Sequence, residues 1–249
     1  MLVGCADDYE EELETIEDAF EQNKTLENGT FETNVTIQNE SETIEQKIEG
    51  SFIQKEDSTY DWYTLSYPNA DMEDNYSEQV RVDGILYEKI TVPEQEDLPW
   101  EEISEDAPHL PDQVERLFDL QDLEEVESVT TEEREGNTIY KVTLEDSFSE
   151  HIIEENVEEL EETIESLEES NVPEERIQAS RNRLDQIRET TYSDFVYTYV
   201  VDNQGHGIVV ENESVVTEPE GNSYTIASSY ELTEYNVEDT ENLIPTVQE

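Results

Sequence analysis

The hydrophobic pattern changes period several times along the chain, and each change marks an element. Between Glu10 and Asn23 the apolar residues Leu13, Ile16, Ala19 and Phe20 recur at helical spacing, which predicts a short amphipathic helix, and Asn28-Gly29 ends the connection after it. From Thr30 to Val92 the period falls to two. Phe31, Thr33, Val35 and Ile37 alternate with Glu32, Asn34, Thr36 and Gln38, and Ile44, Ile48 and Phe52 recur among charged residues. Tyr60, Trp62, Tyr63, Leu65 and Tyr67 mark a third strand. The Asp83-Gly84 dipeptide is a hairpin signal, so Tyr76 to Val82 is expected to pair with Ile85 to Val92.

The stretch from Pro93 to Pro111, with four prolines and Trp100, reads as an ordered surface loop. A helix is expected from about Asp112 to Val126, apolar at Val114, Leu117, Phe118 and Leu120. A hairpin follows, Val126 to Glu133 with Thr138 to Leu144, turning at Glu135-Gly136-Asn137. Two helices come next, Phe148 to Glu169 and Glu174 to Thr190, with Pro173 at a first-turn position that tolerates proline. The first is acidic outside its apolar stripe, while the second carries Arg176, Arg181, Arg183 and Arg188, so the two should face each other as a helical hairpin. Three long strands end the chain: Tyr192 to Val201, Ile208 to Thr217 and Tyr224 to Tyr235.

Charge narrows what such a chain can do. Its 69 Asp and Glu against 12 Lys and Arg give a net charge of −57 over 249 residues, which argues against nucleic acid and anionic headgroups as partners. Composition this acidic often means disorder. Here 13 Tyr, 6 Phe and 2 Trp are spread through alternating segments, and Gly and Pro number eight each, so the chain should fold. In molar salt the Debye length is about 3 Å and carboxylates cease to repel across the surface, which makes the acidity an adaptation to a salty or alkaline exterior.

Leu2-Val3-Gly4-Cys5 resembles the bacterial lipoprotein motif, in which two apolar or small residues and one small residue precede a cysteine that receives diacylglycerol. Cys5 is the sole cysteine, and acidic sequence follows it immediately. Two acyl chains, at about 0.8 kcal/mol per buried CH₂, would suffice as the only anchor. The expected layout is a lipidated tether over residues 1–9, one domain over 10–237 with the helical hairpin at about 148–190, and a C-terminal tail over 238–249.

This order of helix, antiparallel meander, helical interruption and terminal meander behind a lipoprotein motif resembles the LolA/LppX-like lipoprotein family. The segments that carry the resemblance are Tyr197-Thr198-Tyr199-Val200-Val201-Asp202-Asn203-Gln204-Gly205 and Tyr224-Thr225-Ile226-Ala227-Ser228-Ser229-Tyr230-Glu231-Leu232. The resemblance implies an α+β fold: a curled antiparallel half-barrel of about ten strands, with helices on its concave side and an acyl-binding cleft between them. A twisted sheet of that size tends to curl, and closing it over helices buries an apolar pocket. The inward rows would then include Phe31, Val35, Ile37, Ile44, Ile48, Phe52, Trp62 and Leu65. For any one of these positions, membership of a filled core is the commoner role.

Phosphate-loop, dinucleotide, nucleophile-elbow and zincin motifs are absent from the sequence. His109, His151 and His206 share no local spacing and read as surface residues. Asp71, Glu73, Asp74 and Asn75 form a hard-oxygen cluster without the pattern of a calcium loop. The expectation is therefore a monomeric, non-catalytic lipoprotein without cofactor or metal, on the extracellular face of the cell membrane, that binds or carries a hydrophobic or amphiphilic ligand. The alternative is a structural or protein-interaction component of the cell envelope with a filled core.

Overall fold

A computed structural model describes residues 9–70, 75–91, 98–104, 108–118, 120, 125–169 and 172–247. Among the described residues eleven strands form one open antiparallel sheet, and four helices accompany it. The N-terminal meander comprises β1 (Asn28–Gln38), β2 (Thr43–Gln54), β3 (Tyr60–Tyr67), β4 (Tyr76–Val82), β5 (Ile85–Thr91) and β6 (Glu101–Ser104). The C-terminal meander comprises β7 (Val126–Arg134), β8 (Asn137–Leu144), β9 (Thr191–Val201), β10 (Gly207–Thr217) and β11 (Ser223–Tyr235). The first and last strands pair, β1 with β11, so the sheet runs from β6 at one edge to β7 at the other. It is a curled half-barrel with helices on its concave side, and bulges at Thr30/Phe31, along β9–β10 and in β7 add to the bending.

Two of the expected elements need correction. Within the stretch read as a loop, residues 101–104 form β6, a four-residue edge strand whose Glu101 and Glu102 lie opposite Glu88 and Tyr87. Its alternation is too short to stand out from a proline-rich, acidic background. The helix expected to run to Val126 is described only as α2 (Asp112–Phe118), and Val126 opens β7. The other helices are α1 (Glu10–Asn23), α3 (Phe148–Glu169) and α4 (Glu174–Glu189).

Antiparallel partners share a face, so the register assigns the inner rows. Gly29, Phe31, Thr33, Val35 and Ile37 of β1 stand opposite Phe52, Gly50, Ile48, Gln46 and Ile44 of β2. Phe52 faces Trp62, which faces Arg81; on the other side Phe31 faces Leu232, and Tyr230 faces Val210, which faces Tyr199. Helices α1 and α2 cover the middle of this face through buried Ile16, Phe20, Val114, Leu117 and Phe118. The contact is aromatic: Phe20 meets Tyr199 edge-on at 5.8 Å, Phe118 meets Phe52 at 5.4 Å, and Phe148 at the start of α3 meets Phe195 at 5.0 Å.

The rest of the helical hairpin has its own small core of Ile164, Ile177 and Leu184. Arg181 pairs with Glu168 at 2.6 Å and Arg188 with Glu161 at 2.5 Å, so the basic helix does align on the acidic one. These pairs are about half exposed and contribute about 0 to 1 kcal/mol each, chiefly by relieving repulsion.

One polar seam ties α1 to the sheet. The side chain of buried Asn23, at the end of α1, donates to the carbonyls of Leu117 and Gly207, each at 2.7 Å, and its Oδ1 lies 3.2 Å from His206 Nδ1. His206 is therefore a buried residue, against the expectation of a surface histidine, because the β9–β10 turn folds over α1. Next to it Asp202 accepts from the backbone N–H of Gln204 and His206 and from the Tyr235 hydroxyl. Burial alone would raise the Asp202 pKa, but those donors outweigh it and hold the carboxyl below its ordinary value. Burial, and then donation to Asp202, pushes the Tyr235 hydroxyl up to about 12.

Gly50 sits where β2 passes beneath Phe31, and a β-carbon there would run into the Phe31 ring and the Tyr63 carbonyl oxygen. Gly50→Ala is expected to lower stability by about 1 to 3 kcal/mol as an overpacking change, read from urea unfolding in molar salt. The Asp202–Tyr235 pair makes stability depend on pH at both ends. Its acid contribution is complete above the ordinary carboxylate pKa of about 3.9 and is lost as pH falls through the lowered Asp202 value. Its alkaline contribution is complete below about 10 and is lost as pH rises toward 12, so Tyr235→Phe should flatten the alkaline limb of a melting-temperature profile. At pH 7 the same variant should cost about 1 to 2 kcal/mol.

Candidate functional site

The helices leave part of the inner face uncovered, and the row that packs under them continues into an open trough. Its floor comes from Thr33 and Val35 of β1, Gln46 and Ile48 of β2, Ser66 of β3, Ser77 of β4, and Glu88 and Ile90 of β5. Tyr67, Pro68, Asn75 and Tyr76 wall one end, with the two tyrosine rings 6.0 Å apart. The volume is about 390 Å³, within the range that holds a small ligand. Ile90 stands 47% exposed at its rim.

The eight residues anticipated as an inward row separate into groups. Phe31, Phe52 and Trp62 lie in the packed core; Phe52 is fully covered, and the Trp62 indole donates to the Pro108 carbonyl at 3.4 Å. Val35 and Ile48 line the trough. Ile37 and Ile44 pair with each other toward the strand ends of the same face, with Ile44 39% exposed. Leu65 points to the opposite face, between Glu49 and Glu78, because it is one residue out of phase with Trp62. Thr33, Gln46, Tyr67, Tyr76 and Ile90 were not singled out from the sequence. The two-residue period contains Thr33 and Gln46, but polar residues carry no signal for an apolar floor.

The ion pairs of these strands lie on the opposite face of the sheet. On the outer face Lys47 bridges Glu32 at 2.9 Å and Glu49 at 2.7 Å, and Lys89 pairs with Glu78 at 3.2 Å. Donation from Asn34, followed by the Lys47 bridge, lowers the Glu32 pKa. Burial, and then donation to Glu78 at 2.9 Å, raises the Tyr63 hydroxyl. Among the described residues Glu88 is the one carboxylate lining the trough, and it accepts from Gln79 at 3.1 Å.

Beneath this surface lies a polar anomaly. Thr33 is 2% exposed, and its hydroxyl has no hydrogen-bond partner among the described residues. Cys5 and the acidic residues Asp71, Glu73 and Asp74 fall outside the described residues. Among the described residues, no group of three or more His, Cys, Asp or Glu is placed to hold a metal ion, and no helix is long and apolar enough to cross a membrane.

No family model matches the sequence, and no curated protein matches it. Among solved structures the chain is similar to LprF from Mycobacterium bovis, at 10% identity over 95% of this chain and 96% of that one, with a TM-score of 0.41. It is similar to the Pseudomonas aeruginosa MucA/MucB complex structure at 14% identity over 96% of this chain, spanning 61% of that chain, with a TM-score of 0.37. A lipoprotein-sorting protein domain from Vibrio parahaemolyticus is similar at 8% identity over 94% of each chain, with a TM-score of 0.27. These are likenesses of chain course, and the site is read from this chain's own residues.

Thr33→Val keeps the shape of the side chain and removes a buried hydroxyl that has no partner. It is expected to raise stability by about 1 kcal/mol in denaturant titration of the ligand-free protein, and an equal loss would show that the hydroxyl is satisfied in solution.

Proposed function

We propose that this chain is a non-catalytic, extracytoplasmic binding protein that carries a hydrophobic or amphiphilic molecule. The observation that carries the reading is the trough: a mostly apolar, preformed concavity on the inner face, with tyrosines at one end and its row continuous with the core. Leaving Val35, Ile48 and Ile90 in contact with water forgoes about 25 cal/mol for each Å² that a ligand would cover. On the floor Val35, Ile48 and Ile90 stand beside the polar groups of Gln46, Ser66, Ser77 and Glu88, with two tyrosines at one end, which suits a molecule with one polar end.

The Leu2-Val3-Gly4-Cys5 motif supports lipid attachment on Cys5, with the short segment before α1 as the tether to the extracellular face of the cell membrane. The net charge of −57 supports work in a salty or alkaline medium. A second reading, an envelope interaction component, draws on a separate observation: the space between α1, α2 and the sheet is filled by aromatic contacts, as in a packed core.

Fluorescent fatty-acid uptake and mass spectrometry of gently extracted protein, both in molar salt, distinguish the readings. The carrier reading predicts bound ligand, and Ile48→Glu should weaken uptake at least about tenfold by placing a charge on the apolar floor. Protein that extracts empty and takes up no probe would sink the carrier reading and favour the interaction one. Melting temperature should also climb as NaCl is raised from about 0.15 M to molar concentration, where the Debye length shrinks from about 8 to 3 Å.

A further inference from the structure

A second groove, of about 570 Å³, lies between the β2–β3 and β4–β5 turns, lined by Lys55, Glu56, Asp57, Arg81, Asp83 and Gly84 among others. Arg81 is the one buried cation among the described residues, at 7% exposed. Its Nη1 donates to the Tyr60 carbonyl. Its Nε has no partner, and no carboxylate pairs with the guanidinium among the described residues. Among the described residues, six of the twelve lysines and arginines (Lys24, Lys47, Lys55, Lys89, Arg181 and Arg188) have a carboxylate within salt-bridge distance; Arg81 is not among them, and it alone of the twelve is buried. A buried charge without a counter-charge is costly, and a guanidinium is built to take an oxyanion on its remaining N–H groups.

The groove places the guanidinium end within a ligand's reach. Nη2 would lie 3.9 Å from a β-carbon on Gly84, so the absence of a side chain in that turn keeps this end open. Lys55 is already committed to Asp61 at 2.8 Å and to Asp83. Glu56 and Asp57 are exposed on the same groove and make no ion pair among the described residues. A simple anion at Arg81 would be repelled by these carboxylates and by Asp83, and a simple cation among them would be repelled by Arg81. A molecule that carries both charges satisfies both sides.

We propose that this groove binds a small zwitterion, its anionic group on Arg81 and its ammonium toward Glu56 and Asp57. The pairing of an oxyanion with an ammonium is shared by free amino acids and by phosphoethanolamine headgroups. Isothermal titration of the full chain, at about 0.15 M and about 2 M NaCl, with glycine, phosphoethanolamine, acetate and methylammonium tests the inference. Glycine or phosphoethanolamine should bind at least about tenfold more tightly than acetate or methylammonium, and Arg81→Gln should abolish that binding. Preference for glycine assigns a free amino acid, and preference for phosphoethanolamine a headgroup. Glu56→Gln, a surface change, should weaken glycine about threefold and strengthen acetate, which keeps the test decisive if Arg81→Gln does not fold. Acetate binding as tightly as glycine, no binding of any probe, or retained binding in folded Arg81→Gln would overturn the assignment.

Discussion

Mutual repulsion among surface carboxylates is the constraint around which this molecule is arranged. With twelve cations against 69 acids, ion pairing cannot neutralise the surface, so cohesion has to come from elsewhere. It comes from one face of one sheet. Phe20 on Tyr199, Phe118 on Phe52 and Phe148 on Phe195 hold helices to strands by edge-on ring contacts that do not depend on charge. Four of the cations bridge neighbouring acids: Lys47 and Lys89 on the outer face of the N-terminal meander, Arg181 and Arg188 between α3 and α4.

That division explains why so few polar groups lie inside and why each matters. Asn23 satisfies two carbonyls from different parts of the chain and meets His206, so a single side chain fixes α1 against both α2 and the β9–β10 turn. Asp202 is tolerated nearby because three donors surround it. The Asn28 carboxamide accepts from the Val237 backbone, and Ser51 donates to the Leu243 carbonyl, so the segment after β11 is drawn back along the strands that begin the sheet.

Much of this was legible from period alone. The bounds of α3, and β4 and β5 around Asp83-Gly84, follow from alternation and from a turn in which Asp83 and Gly84 both take positive φ. Pairing of β1 with β11 was not legible, since no local pattern reports which distant strands meet. Leu65 shows a related failure: in Tyr60-Asp-Trp-Tyr-Thr-Leu-Ser-Tyr67 apolar residues occur in both phases, and only register with Glu49 and Glu78 assigns Leu65 to the outer face. His206 looked like a turn residue in sequence and is one, yet burial depends on α1 lying over that turn.

The site was half legible for a physical reason. A filled core and a ligand-binding floor use the same apolar alternation, and they diverge only where the covering helices stop. Phe31 and Val35 occupy equivalent places in one alternating run, four residues apart, but Phe118 and its neighbours reach the first level and not the second. Among the described residues, α2 covers the sheet through Val114, Leu117 and Phe118. How far the covering helices reach across a curled sheet therefore decides which part of the inner face becomes core and which remains available for binding, and nothing in the strands themselves encodes that limit.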